Sequence, residues 1–313
     1  MTQMNRAELE RLADRYLDAL TAHAATRLPL AGNVRYTENG VGLALNDGLW
    51  GTASKAGKYR IVIPDVTAQQ VGYMGVIEEA GQLICATTRL RVENEYVSEI
   101  ETLVSHPSLM GGGAFSGGAK LLEEMGTPHP EFTTRLKPDE KLPRSQLIEI
   151  SNMYFSGLER SNGKYAVPFD PECERRENGM QTTHNKNFGF GAGSNNAPPP
   201  REQPANAGPN MIEMSPKEQF ESGGLAFVTA IRNRRFPVVD EETGNVLAFG
   251  FFDHNGQAET VTWADGVTRP SPVRAPMSFI IAELFKVKKG LLRQIEANLT
   301  TVSYGMRCDH WDR

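Results

Sequence analysis

The sequence predicts an α+β protein built from two copies of one unit, joined head to tail, and three observations predict it. Residue blocks recur in the same order in both halves of the 313-residue chain. Each copy opens with apolar residues at helical spacing. Runs with strand alternation follow, separated by turn residues. A helix followed by an antiparallel sheet is α+β rather than doubly wound.

The repeat is read from four blocks. Residues 13–20, with Tyr16, are followed by Leu28-Pro29-Leu30 and by Arg35-Tyr36-Thr37-Glu38-Asn39-Gly40. Residues 151–158, with Tyr154, are followed by Val167-Pro168-Phe169 and by Arg175-Arg176-Glu177-Asn178-Gly179. Downstream, 71–76 resembles 247–252, and 90–101 resembles 285–296. Duplication explains four blocks in one order better than chance.

Within the first copy, a helix is predicted over 7–20, with Leu9, Leu12, Tyr16, Leu17 and Leu20 on one face. Strands are predicted over 59–63, 70–77, 84–92 and 96–104, with a hairpin turn at 93–95. The second copy opens with a helix over 145–158, N-capped by Ser145. Residues 225–231 read as helical, 288–290 as a hairpin turn, and 253–256 as an exposed hairpin tip. The organisation is therefore a first unit over 1–106, a connector over 107–143 with a short helix at 119–125, and a second unit over 144–313. A long irregular stretch near 186–216 interrupts the second unit. Its length and its Pro, Asn and Gly content mark it as a lid, a clasp between chains or a disordered segment.

Composition removes several function classes. A net charge of -5 argues against a nucleic-acid partner, which needs a basic face. No apolar run approaches the roughly 20 residues that span a bilayer. The amino-terminal residues lack an apolar core, so a secretory signal is not expected. Cys85, Cys173 and Cys308 are three, widely spaced and without Cys-x-x-Cys pairing. No metal site is expected from them, and a cytoplasmic location follows. Phosphate- and dinucleotide-binding fingerprints are absent too, and no cofactor is predicted.

The order helix, Tyr-x-x-x-Leu, x-Pro-x, Glu-Asn-Gly and then a sheet resembles the nuclear transport factor 2-like superfamily, in tandem duplication. That superfamily includes the SnoaL-like and ketosteroid isomerase-like enzymes. Residues 35–51, with Asp47-Gly48-Leu49-Trp50-Gly51, resemble the SnoaL-like members in particular. The second copy departs through its insertion and shows no counterpart to 48–50. The resemblance implies two cone-shaped units, each a curved antiparallel sheet wrapped on helices around an apolar cavity. It implies an aromatic small-molecule substrate and no cofactor. Family members dimerise through their sheets, so the two copies are expected to form an internal pseudo-dimer; further association of chains is left open.

Cofactor-free chemistry in a dry pocket needs acids and bases with shifted pKa values. Tyr36 and Glu38 share one face of a strand, with Asn39 beyond them; the alternative is a turn that the fold itself requires. Arg175 and Glu177 share a face in the second copy, with Asn178 after them. His184 follows as an acid or base near neutral pH, or as a surface loop histidine. Arg232, in Arg232-Asn233-Arg234-Arg235, reads as an anion anchor or a solvated helix end. Tyr59 and Arg89 sit on strands of the first copy, facing either the cone or water, and Trp50 is a candidate binding aromatic. The catalytic candidates are thus Tyr36, Glu38, Arg175, Glu177 and His184. The binding candidates are Asn39, Trp50, Tyr59, Arg89, Asn178 and Arg232.

The function expected is a cofactor-independent lyase acting by acid–base catalysis on an aromatic small molecule. Within the resemblance, the formaldehyde-releasing branch that cleaves lignin-derived diaryl diols through a quinone methide is the leading branch. A ketosteroid isomerase-like isomerase, a dehydratase of a hydroxylated aromatic or polyketide, and a non-catalytic binding protein are the alternatives.

Overall fold

A computed structural model describes residues 3–107, 117–186, 208–308 and Trp311. The first helix, α1 (Arg6–Thr21), is capped by Asn5, whose side chain accepts from Glu8 N while Glu8 reaches back to the Asn5 backbone. Leu9, Leu12, Tyr16, Leu17 and Leu20 are its buried face. Then come β1 (Leu30–Glu38), the short β2 (Val41–Gly42), one helical turn α2 (Leu49–Thr52), and four strands. These are β3 (Ala53–Asp65), β4 (Gln70–Glu79), β5 (Gln82–Glu93) and β6 (Tyr96–Ser105). All four predicted strands lie inside these, and Asn94 and Glu95 take the positive φ of the predicted turn.

The connector carries α3 (Gly118–Met125) and α4 (Pro130–Thr133). The second unit begins with α5 (Arg144–Arg160), and its N-cap is Pro143. The helix therefore starts ahead of Ser145, the expected cap. It continues with β7 (Phe169–Glu177), β8 (Met180–Gln181) and α6 (Pro216–Ser222). After these run β9 (Ala230–Asp240), β10 (Asn245–His254), a small hairpin of β11 (Thr260–Thr262) and β12 (Thr268–Pro270), then β13 (Met277–Lys288) and β14 (Leu291–Val302).

The sheet orders make the duplication plain. One sheet runs β2-β1-β6-β5-β4-β3 and the other β8-β7-β14-β13-β10-β9. In each, the first long strand pairs in parallel with the last, and every other pairing is antiparallel. The result is an α+β fold of two similar units, each a six-stranded sheet with helices packed on one face. The register gives the equivalences residue by residue. Glu38 pairs with Thr102, which pairs with Thr88. Glu177 pairs with Ala297, which pairs with Glu283. Thr88 in the first unit and Glu283 in the second therefore hold the same place.

Three apolar clusters organise the molecule. One fills the first unit between α1 and its sheet, with Tyr16, Trp50 and Tyr73 as its largest members. A second fills the other unit around Tyr154, Phe155, Phe220 and Phe285. The third lies between the outer faces of the two sheets, joining Tyr59, Ile61 and Met74 to Leu247, Phe249 and Leu284. The units meet through their sheets. Gly72 shows how close the approach is, since a Cβ there would lie 2.8 Å from the Leu247 side chain.

Two local expectations fail. Residues 225–231 form no helix, because the chain turns at 223–228 and enters β9 at Ala230, which places Arg232 on a strand. Residues 253–254 are not an exposed tip. Asp253 and His254 are buried at the end of β10, Asp253 against Arg232 and Ser278 and His254 against Phe227 and Phe279. Among the described residues, no helix is long and apolar enough to cross a membrane. The lid or clasp expected near 186–216 lies largely outside the described residues.

Candidate functional site

The inner face of the second sheet brings four polar side chains together in an apolar setting. Arg175 comes from β7, Glu177 lies two residues further on the same face, Tyr154 descends from α5, and Glu283 rises from β13. Arg175 is 5% exposed and Glu283 1% exposed. The Arg175 guanidinium donates to the Tyr154 hydroxyl at 3.3 Å, to Thr182 Oγ1 at 3.2 Å and to Gln219 Oε1 at 2.7 Å. Its Nε stands 3.5 Å from Glu177 Oε1. The Glu283 carboxyl group lies beside Tyr154 and the Arg175–Glu177 pair. Glu283 Oε2 is buried with no partner among the described residues.

Electrostatics separates these groups. Burial pushes the Glu283 carboxyl up to about 8; Arg175 opposes this and the Glu177 charge adds to it. Glu283 is therefore a neutral acid at pH 7. Burial works against the Arg175 charge, but Glu177 and the other groups around it hold its pKa above the ordinary arginine value. Burial likewise lifts Tyr154 well above a normal phenol. An acid kept neutral, a carboxylate and a fixed cation thus share one water-poor space. Aromatic rings wall it: Phe169, Phe220 and Phe285 lie 6.1, 5.1 and 5.2 Å from the Tyr154 ring centre. Titratable groups driven apart in this way are typical of acid–base sites.

The first cone keeps the frame and one carboxylate, Glu38, and lacks the cation and the neutral acid. Tyr16 stands where Tyr154 does, but its hydroxyl meets Thr88 Oγ1 at 3.2 Å, and Thr88 meets Thr102 at 3.1 Å. The place of Arg175 is taken by Tyr36, which donates to Glu38 Oε2 at 2.7 Å. The same oxygen accepts from Leu49 N at 2.7 Å. Gly48 permits this approach: it has φ +56°, and a Cβ there would lie 2.5 Å from Glu38 Oε2. Trp50 fills the remaining space, edge-on to Tyr16 at 5.6 Å. The second unit does have an equivalent of this segment. Helix α6 follows β8 as α2 follows β2, and Phe220 packs on Tyr154 as Trp50 packs on Tyr16. The long insertion hides the correspondence in the sequence.

The remaining candidates fall elsewhere. Asn39 and Asn178 each hold one backbone: Asn39 binds Val104 N and O at 2.8 and 3.2 Å, and Asn178 binds Leu299 N and O, both at 2.9 Å. His184 is exposed beside an open surface groove with His129, Glu174 and Arg293, away from Arg175 and Glu177. Arg89 faces neither cone nor water. It is buried between the units against Glu99 at 2.8 Å, Glu101 at 2.9 Å and Gln70 at 2.7 Å. Tyr59 also points between the units, donating to Glu296 Oε2 at 2.6 Å. Arg232 pairs with Asp253 at 2.9 Å and donates to Met306 O at 3.0 Å.

Sequence reasoning missed Glu283 and gave Tyr154 no chemical role. The signal for Glu283 was present as a single carboxylate inside the apolar run Phe279-Ile280-Ile281-Ala282-Glu283-Leu284-Phe285. A strand buried on both faces does not hold an acid without a reason. Among the described residues, no three His, Cys, Asp or Glu side chains converge as a metal set.

Comparison with known proteins adds a family. The model of a domain of unknown function, DUF8021, matches residues 2–104 and 140–299. No curated protein matches. Among solved structures, a nuclear transport factor 2-like protein of unknown function from Cytophaga hutchinsonii is similar at 17% identity and a TM-score of 0.26. The match covers 35% of this chain and 97% of that one. A de novo designed protein with a curved β-sheet is similar at 14% identity and a TM-score of 0.26, over 39% of this chain and 99% of that one.

Proposed function

The chain belongs to the DUF8021 family, and from that premise we propose that its second cone is the site of cofactor-independent acid–base chemistry on an aromatic small molecule. The observation that carries this reading is Glu283, a buried carboxyl group held neutral at pH 7 beside Arg175, Tyr154 and Glu177. A fold needs no such group on the inner face of a strand, and its lone Oε2 is available to a ligand.

A lyase uses all three kinds of group. With a phenolic diaryl diol, Glu283 gives its proton to the benzylic hydroxyl, which leaves as water. The phenol, its proton lost to solvent, binds as the phenolate on Arg175, and its electrons expel that water to give the quinone methide; the product stilbene leaves as phenolate and recovers the proton from solvent. Glu177 takes the proton of the terminal alcohol, the carbon–carbon bond breaks toward the quinone methide, and formaldehyde leaves with a stilbene as co-product. Proton return from Glu177 to Glu283 through solvent completes the cycle. In this scheme Glu283 replaces His184 as the acid.

One observation favours a second reading. Tyr154 and protonated Glu283 are adjacent hydroxyl donors, an arrangement suited to an oxyanion on an enolising ketone, with Glu177 shuttling the proton. That makes an isomerase or a dehydratase. The deciding experiment is an assay of the purified full chain without added metal or cofactor, on phenolic diaryl diols and hydroxylated polyketide mimics. Formaldehyde and a stilbene absorbance together support the lyase; conversion without formaldehyde supports the second reading. Turnover unchanged in Glu283→Gln removes the acid–base assignment from this cone.

A further inference from the structure

Two side chains of α6 occupy the second cone in a way that describes a ligand. Gln219 and Phe220 are adjacent, and both turn inward. Phe220 lies in a box of rings, 5.1 Å from Tyr154 and 5.1 Å from Phe169. Gln219 puts its carboxamide oxygen 2.7 Å from Arg175 Nη2. Its amide nitrogen donates to the carbonyls of Thr182 and Met211, both at 2.7 Å. A phenyl group and an oxygen acceptor thus sit together over the polar floor of the cone.

The first cone closes its aromatic side in the same way, by Trp50 on Tyr16, but its polar side differently. There α2 closes by a backbone amide on Glu38 and by the indole of Trp50, with no side-chain amide on a cation. In the second cone the closing groups are two side chains on one helical turn. That turn is capped at both ends, by Ser215 with Glu218 and by Gly223 in the left-handed conformation, so it holds its form as a unit. In the same cone Glu283 Oε2 stays buried without a partner among the described residues, and an unsatisfied group there points to a further occupant.

We propose that Gln219 and Phe220 are internal stand-ins for the ligand, and that the second cone takes an aryl compound bearing an anionic oxygen, phenolate or carboxylate, at its ring once α6 moves out. The ring takes the Phe220 box, the oxygen replaces Gln219 Oε1 on Arg175, and a hydroxyl on the ligand reaches Glu283 Oε2. This rests on the reading of the second cone as a site and names the chemical class that fills it.

The test uses the full chain with Gln219→Ala and Phe220→Ala combined, titrated with benzoate and with toluene and read by thermal stabilisation. Removing both side chains empties the ring box and frees Nη2 of Arg175, which keeps Tyr154 and Thr182. Benzoate is expected to bind this variant about tenfold or more tighter than toluene, the worth of one charge-assisted hydrogen bond, and about tenfold tighter than it binds the parent. Equal binding of benzoate and toluene, or no gain over the parent, overturns the proposal. Should the double variant not fold, Gln219→Ala alone frees Nη2 of Arg175 and leaves the ring box intact. Formate then raises its unfolding midpoint but not the parent's, and no effect of formate overturns the proposal. Benzoate binding persists when Glu283→Gln is added, whereas turnover does not, so failure of the ligand class and failure of the acid–base reading are told apart.

Discussion

Tyr16 and Tyr154 hold equivalent places on the opening helices of the two cones, yet one meets a threonine at 3.2 Å and the other an arginine at 3.3 Å. The difference propagates through the strand register. Thr88 and Glu283 are equivalent, and so are Tyr36 and Arg175. Duplication thus preserved the tyrosine and the Glu-Asn-Gly turn in both halves, and only the second cone encloses a buried cation and a neutral acid.

The raised Glu283 carboxyl makes a prediction about pH. Its folded value of about 8 exceeds the ordinary glutamate value, so the folded state binds more protons than the unfolded state between those limits. The stability contribution is full below the unfolded value and is lost as pH rises toward about 8. Burial pushes Glu296 up to about 7, which adds a loss of the same sign ending lower. Stability measured by denaturant should therefore fall from pH 5 to pH 8. Glu283→Gln, which carries no proton to lose, should flatten that fall by on the order of 1–3 kcal/mol. An unchanged slope would show that Glu283 is solvated.

The paired asparagines should matter to folding rather than chemistry. Each side chain satisfies both the N–H and the C=O of one residue on a neighbouring strand. Asn39→Ala or Asn178→Ala strands those two backbone groups, at a cost of about 1–3 kcal/mol. Thermal unfolding should shift for both variants, while kcat of the folded protein stays at the parent value. A selective loss of kcat in Asn178→Ala would make that side chain part of the site.

Trp311 offers a test of how the units are tied. Its indole donates to Thr37 Oγ1 at 2.9 Å and lies between Arg35 and Arg89, at 4.7 and 4.8 Å from the ring centre. Those residues belong to the first unit, so the chain end reaches back from the second unit to the first. Trp311→Ala should cost about 3 kcal/mol, the usual range for a buried aromatic. Loss of less than about 0.5 kcal/mol in urea unfolding would mean that the end is frayed in solution.

Much of the fold was legible because its signals are local. Periodicity located α1 and the four strands of the first sheet, and the repeated Tyr, Pro and Glu-Asn-Gly positions exposed the duplication. The candidate site was legible only in part. Alternation along one strand puts Arg175 and Glu177 on one face, but Glu283 lies more than a hundred residues downstream, and only sheet register brings it to them. Arg89 and Tyr59 were misjudged for a related reason. Alternation tells which residues share a face, not which of the two faces meets the second sheet. His184 and Arg232 drew notice through residue type alone, and loop and strand geometry placed them apart from the cluster.

The asymmetry between the cones supplies the last prediction. Glu38 accepts from the Tyr36 hydroxyl and from Leu49 N, contacts that a glutamine oxygen can also accept. Glu38→Gln should therefore change stability by about 1 kcal/mol and leave turnover intact. Glu177 stands at 3.5 Å from the Arg175 guanidinium in the cone with the neutral acid, so Glu177→Gln removes a base and should lower kcat/KM by about 100-fold or more. The two variants differ by one atom each from the parent at equivalent positions, which makes the comparison a direct vote on which cone is active. Equal losses would mean that both cones turn over substrate. A loss confined to Glu38→Gln would move the chemistry to Tyr36 and Glu38, because no packing difference between the cones explains that result while Glu177 remains replaceable.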